Sequence, residues 1–281
     1  MKYLKTSIAL FFITSIFLTS ACSSAKIKNS LKELDLKGKV KFVDETTYSA
    51  SEKFGECHKE KKNNRETYEF NIKGNEIEYH HYDLDQRWDY ILSFMYDNNG
   101  NNIETKKCDL SGHIIELITN VFDNKRNKTE SNQYGSDSTF EGKTTHQYDV
   151  NGNEIESKFY YSNGDMTLKT IYKYDGQGNK IESCQYGVSG DLNSKIDNKY
   201  NDKGEKTEII EYNQDGTVRC KTNYKYDEMG KWLKIHTSQL IWETDYKITF
   251  DQFDNVGNWI KKTTFIDNKL VMVTEREISY Y

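Results

Sequence analysis

A period of 26 residues constrains this chain more than any other feature. An aromatic residue followed by Asp or Asn recurs at Phe70, Tyr96, Phe122, Tyr148, Tyr174, Tyr200, Tyr226 and Phe253, with six intervals of 26 and a last one of 27. Each period carries two turn signals. The first is Asp-x-x-Gly-Asn, as in Asp97-Asn98-Asn99-Gly100-Asn101 and Asp175-Gly176-Gln177-Gly178-Asn179. Asp at the head of such a turn bonds to its own backbone, and Gly in fourth place supplies the left-handed conformation of a bulged hairpin. The second falls sixteen residues after the aromatic, at Gly112, Gly164, Gly190 and Gly216. Two turns per period leave two strands of roughly seven to nine residues.

Alternation within the period supports strands. Counting from the aromatic, position 18 is Ile114, Phe140, Met166, Leu192 or Val218, position 22 is Ile118, Thr144, Thr170, Ile196 or Thr222, and position 24 includes Phe94, Tyr172 and Tyr224. Steps of two and four place all of these on one apolar or aromatic face. On the return strand, Ile at position 7 and Tyr at position 12 differ by an odd number, which requires a bulge or twist between them. The expected fold is therefore all-β: a long curled antiparallel β-meander of eight 26-residue two-strand repeats. Capping strands close both ends, because repeat arrays protect their terminal edges. Residues 37–62 read as an N-terminal capping hairpin and residues 63–281 as the array with a closing strand.

Composition fits half-solvated strands. The chain has 35% hydrophobic residues, 21 Tyr, 13 Phe and no Pro, with a mean hydropathy of −0.89. That is too polar for a thick core and too aromatic for a disordered chain.

The N-terminus reads as an export signal. Lys2 and Lys5 precede an apolar stretch from Ile8 to Leu18, and Leu18-Thr19-Ser20-Ala21-Cys22 resembles a bacterial lipobox, with Thr19 in place of the usual Leu. Residues 1–21 are then a signal peptide, Cys22 the lipid attachment site and residues 22–36 a polar tether. Without residues 1–21 the net charge goes from −5 to −7, which argues against nucleic acid as a partner. The membrane, reached through the N-terminal lipid, and an envelope glycan or protein are the expected partners. The expected location is the bacterial cell envelope, lipid-anchored in the outer membrane and facing the periplasm or the surface.

Tyr-Lys-Tyr-Asp-Gly-Gln-Gly-Asn at 172–179 and Tyr-Lys-Tyr-Asp-Glu-Met-Gly at 224–230 resemble the Tyr-Asp-x-x-Gly core of Rhs-type YD-repeat proteins. The likeness runs over residues 66–265, with a longer period than that family usually has. It implies β-hairpin repeats. Rhs repeats coil into a shell around a toxin; this chain is far shorter, and that role is not carried over.

No residue pattern points to catalysis. Glu78, Glu104, Glu130, Glu156, Glu182 and Glu208 recur at position 8, and a carboxylate repeated in every unit suits cross-strand pairing with Lys better than a single active site. The run Asp149 to Glu156 has the residues of a turn rather than the spacing of a calcium loop. His80 and His81 are adjacent and face opposite sides of a strand, so no metal site or cofactor is expected. Cys57, Cys108, Cys184 and Cys220 fall on strands too far apart to pair. Trp88, Phe94, Tyr172 and Tyr224 are candidate ligand-binding aromatics, set against the reading that aromatic ladders form the array's own thin core. Three functions remain: a non-enzymatic binding or scaffold lipoprotein, an accessory or immunity-type component of a YD-repeat toxin or secretion system, and an envelope hydrolase. The lipoprotein reading predicts that a fatty-acid analogue labels the protein in cells and fails to label Cys22→Ala; equal labelling of both would exclude it.

Overall fold

The computed structural model describes residues 30–83, 89–226, 232–239 and 242–281. A four-residue helix, α1 (Ser30–Glu33), precedes eighteen strands, from β1 (Val40–Lys53) and β2 (Glu56–Phe70) through β17 (Trp259–Ile266) and β18 (Lys269–Tyr280). Each strand pairs antiparallel with the next, and β1 also pairs with β18. The sheet is a closed eighteen-stranded barrel. The open curled meander expected from the sequence is therefore wrong, and so is its pair of capping strands. The hairpin of residues 37–62 and the closing strand are staves of the wall that pair with one another.

The turns follow the sequence signals. Gly100, Gly152, Gly178, Gly204 and Gly257 have φ between +77° and +89°. Arg126 takes the same place at φ +68°, held by its bonds to Asn99 O and Asn101 Oδ1. In the turns led by Asp97, Asp123, Asp149 and Asp175 the Asp accepts from the backbone and side chain of the closing Asn, as Asp149 does from Asn153 at 2.8 and 2.9 Å.

Two bulges recur in every regular unit. Tyr174 faces Lys180 while Lys173 faces Glu182, so Ile181 at position 7 is the extra residue. Tyr186 faces Leu192 while Gln185 faces Ser194, so Asn193 at position 19 is the second. The bulge required between positions 7 and 12 is thus position 7 itself. The second bulge corrects the one-face reading. Positions 22, 24 and 26 share one face, but position 18 lies beyond the bulge and is turned to the other, which leaves Ile114, Phe140 and Val218 exposed. Bulges bend and twist a strand, and two per unit give the wall the curvature it needs to close.

Closure also reveals a ninth unit. Tyr280 follows Phe253 by 27 residues and faces Val40, with Ser279 facing Phe42 and Lys41 skipped. Tyr96, Asn102, Met95 and Glu104 have this arrangement in an unbroken unit. Tyr281 N donates to Lys39 O at 3.0 Å, as Asp97 N does to Asn101 O. Gly38, with φ +82°, stands where Gly100 stands. The last strand and the segment that leads into the first thus meet at the position of a ninth turn. Residues 30–39 bridge the gap this leaves in the ring of turns: Leu31 N donates to Gly74 O, and Asn258 exchanges bonds with the backbone of Lys37.

A circular permutant that joins Tyr281 to Leu36 and opens the chain between Val188 and Ser189 should therefore fold. Its circular dichroism spectrum should match that of the native barrel, with a lower melting temperature from the loss of Leu31. An unfolded permutant would show that the ninth turn is not equivalent to the others.

Candidate functional site: the inner wall

Register pairing carries the alternation of side chains around the ring without a break, so the wall has two consistent faces. One face includes Val43, Tyr68 and Phe70, against which Leu31 and Leu36 pack. On this face burial governs ionisation. It pushes Tyr68, Tyr79 and Tyr224 above the ordinary tyrosine range and Lys206 and Lys262 below the ordinary lysine range. On the other face lysines are raised chiefly by hydrogen bonds to carboxylates, as Lys173 is by Glu182 and Lys199 by Glu208. The first face is the concave inner wall, and the second is the outside.

Among the described residues the strands make their substantial backbone contacts with ring neighbours. Eighteen strands at about 4.8 Å make a ring about 27 Å across if circular, before tilt widens it. Tyr, Phe, Thr and Ser dominate the lining. Several of the tyrosines also tie one unit to the one before. The hydroxyls of Tyr96, Tyr148, Tyr174, Tyr200 and Tyr226 donate to the carbonyls of Glu76, Lys128, Glu154, Lys180 and Lys206, beside the bulge of the preceding unit, at 2.5–2.9 Å. The tyrosine that precedes the first turn is thus a structural bolt, since a carbonyl beside a bulge needs a donor.

Of the candidate aromatics, Phe94 on β4 (Tyr90–Tyr96), Tyr172 on β10 (Met166–Tyr174) and Tyr224 on β14 (Val218–Tyr226) all face inward. They stand four to eight strands apart around the ring, so they share one wall without forming one pocket. Trp88 and Cys22 lie outside the described residues. Cys57, Cys108, Cys184 and Cys220 form no disulfide with one another, and Cys184 and Cys220 point to opposite sides of the wall. His80 faces outward to Glu78 and His81 inward to Glu66. Among the described residues no cluster could hold a metal ion. An open cleft of about 540 Å³ lies between two neighbouring first turns, lined by Asp123, His146 and Asp149 among others. Its acids are occupied by their own turns.

The repeated glutamates form an ion-pair lattice on the outer wall. Glu130 pairs with Lys143, Glu156 with Lys158 and Lys169, Glu182 with Lys173 and Lys195, and Glu208 with Lys199 and Lys221, at 2.6–3.1 Å. Hydrogen bonds from these lysines hold all four carboxyls below their ordinary value of 4.5. What the sequence reading missed is a row on the inner wall beside the seam, Arg276–Glu45–Glu66–His81–Tyr90, in which each residue faces the next across adjacent strands. Its members occupy strands that the repeat motif does not index, and only the pairing of β1 with β18 brings Arg276 to Glu45.

No family model and no curated protein matches this chain. Among solved structures it is similar to a porin-like protein from Bacteroides uniformis, with 9% identity, TM-score 0.46, and coverage of 85% of this chain and 98% of that one. A porin-like protein from Bacteroides vulgatus gives 10% identity and TM-score 0.39, covering 87% and 99%. The Photorhabdus luminescens Tc holotoxin pore gives 12% identity and TM-score 0.37, covering 77% of this chain and 12% of that chain. Likeness at this level assigns no role, and the functional reading is drawn from the wall's own side chains.

The lattice makes a prediction about acid. Carboxyls whose pKa is depressed in the folded state contribute stability that is complete above about pH 4.5 and is lost as pH falls through their folded values. Glu182→Gln should cost about 0.5–1 kcal/mol at pH 7, the range of a partly exposed pair, and should flatten the decline in melting temperature between pH 5 and 3. An unchanged acid limb would mean that the pairs are ornamental.

Proposed function

We propose that the chain is a non-enzymatic binding barrel of the bacterial cell envelope, tethered by lipid at Cys22 and surrounded by water. The outer wall is the observation that carries this reading. A barrel that spans a membrane presents an apolar band to lipid, and one Lys or Arg at its midplane costs about 2–4 kcal/mol. Here mid-strand positions on the outside hold Glu104, Lys106, Glu130, Lys143, Glu156, Lys169, Glu182, Lys195, Glu208 and Lys221. Such a wall is at home in water.

The tether supports an orientation. Residues 30–39 sit at the rim of first turns, and Ser30 is eight residue steps from Cys22. At about 3.5 Å per residue that rim stays within about 28 Å of the anchoring leaflet. The lumen is the binding surface in this reading, with Phe94, Tyr172 and Tyr224 among its contact residues. An envelope glycan or a protein segment suits an aromatic and hydroxyl lining, because rings stack while hydroxyls hydrogen-bond.

The mature chain with Cys22→Ser should remain monodisperse in buffer without detergent and should not partition into detergent micelles. Aggregation relieved only by detergent would contradict the water-facing wall.

A further inference from the structure

The outer ion-pair lattice breaks beside the seam. In regular units a lysine faces the repeated glutamate across the strand pair, as Lys173 faces Glu182 and Lys199 faces Glu208. In the unit that begins at Phe70, Glu69 stands in the lysine's place and faces Glu78. Like charges directly opposite on a sheet destabilise it. Glu78 has the His80 ring, whose Nε2 lies 2.6 Å from its Oε1. The Glu69 carboxylate makes no hydrogen bond or ion pair among the described residues.

Both acids line a groove of about 230 Å³ on the outer wall, together with Phe42, Thr67, His80 and Tyr82. Thr67 is small and sits between Asp44 on one neighbouring strand and His80 on the other. It is 6% exposed, and its hydroxyl has no hydrogen-bond partner among the described residues, whereas a buried hydroxyl is normally bonded. Arg65 also lines the groove, but both oxygens of Asp44 hold it at 2.5–3.1 Å and it lies over the Tyr82 ring. Asp44 itself faces a further acid, Glu277. Lys41, beside Phe42 in sequence, is exposed and makes no ion pair.

We infer that this groove is a binding site for a primary ammonium group on a small apolar body, with Glu69 and Glu78 as its counter-charges. The group supplies the cation that the lattice lacks here. An ammonium has three donors, and the two carboxylates and the Thr67 hydroxyl offer it three acceptors. Phe42 and Tyr82 give the apolar body aromatic walls. The Tyr82 hydroxyl, 3.1 Å from His80 Nδ1, fixes the ring that in turn holds Glu78. The site lies outside the barrel and does not depend on what the lumen binds.

Binding of benzylamine, its neutral analogue benzyl alcohol and Nα-acetyl-lysine amide, followed by saturation-transfer NMR on the mature chain with Cys22→Ser, tests the site. An ammonium probe should bind about tenfold more tightly than benzyl alcohol, since its hydrogen bonds are charged. Tighter binding of acetyl-lysine amide identifies a lysine side chain of a partner as the source, and tighter binding of benzylamine a free amine. Glu69→Gln and Thr67→Val should each weaken the tighter probe several-fold, and Glu182→Gln, in a regular unit, should leave it unchanged. Glu69→Lys should restore the lattice pair with Glu78, raising the melting temperature and abolishing binding. Failure of both ammonium probes to bind better than benzyl alcohol, binding that survives Glu69→Lys, or a melting temperature lowered by Glu69→Lys would overturn the site.

Discussion

A sheet of eighteen strands has two edges, and every second residue along an edge points an unpaired backbone donor and acceptor outward. Pairing β1 with β18 removes both edges at once. The rest of the molecule depends on that seam. It places the charged inner row, completes the ninth unit, and brings the N-terminal segment to the rim of turns, where Leu31 and Leu36 pack against Val43 and Phe70. The largest buried apolar cluster of the described residues sits there, at the one place where the ring of turns is interrupted.

Elsewhere the barrel is held without a thick core. The backbone ladder supplies continuity, five tyrosine hydroxyls bolt their units to the preceding ones, and stacked Asp–Asn turns fix the spacing along one rim. The outer ion pairs are partly exposed and individually weak; they hold the middle of the outer wall, while Ile114, Phe140 and Val218 stand exposed nearer the rim of second turns.

Much of this was legible in the sequence. Asp97 and Gly100, or Asp175 and Gly178, announce a turn whose chemistry is local, and the φ of the glycines follows from it. Glu at position 8 announced pairing with Lys because both lie on adjacent strands in register. Closure was not legible. The ninth turn is split between Tyr281 and residues 36–39, so it lacks the Asp and Asn that mark the others, and its halves lie at opposite ends of the chain. Position 18 was misplaced for a related reason: Ile115, Glu141, Thr167, Asn193 and Arg219 share no side-chain character that marks a bulge, yet each reverses the face of the residue before it. Arg276 and Glu45 meet only across the seam, and their pairing could not be read before the seam was known.

Closure is the central claim, and one cross-link tests it most directly. Thr47 and Thr274 face each other on the inner wall, with their hydroxyl oxygens 3.0 Å apart. In an open sheet their strands would stand at opposite edges, seventeen spacings or about 80 Å apart. In a protein whose native cysteines are replaced by Ser, the pair Thr47→Cys and Thr274→Cys should oxidise rapidly to an intramolecular disulfide at low protein concentration. The product should be a monomer with a raised melting temperature. Free thiols under mild oxidation, or dimers only, would contradict the closed barrel.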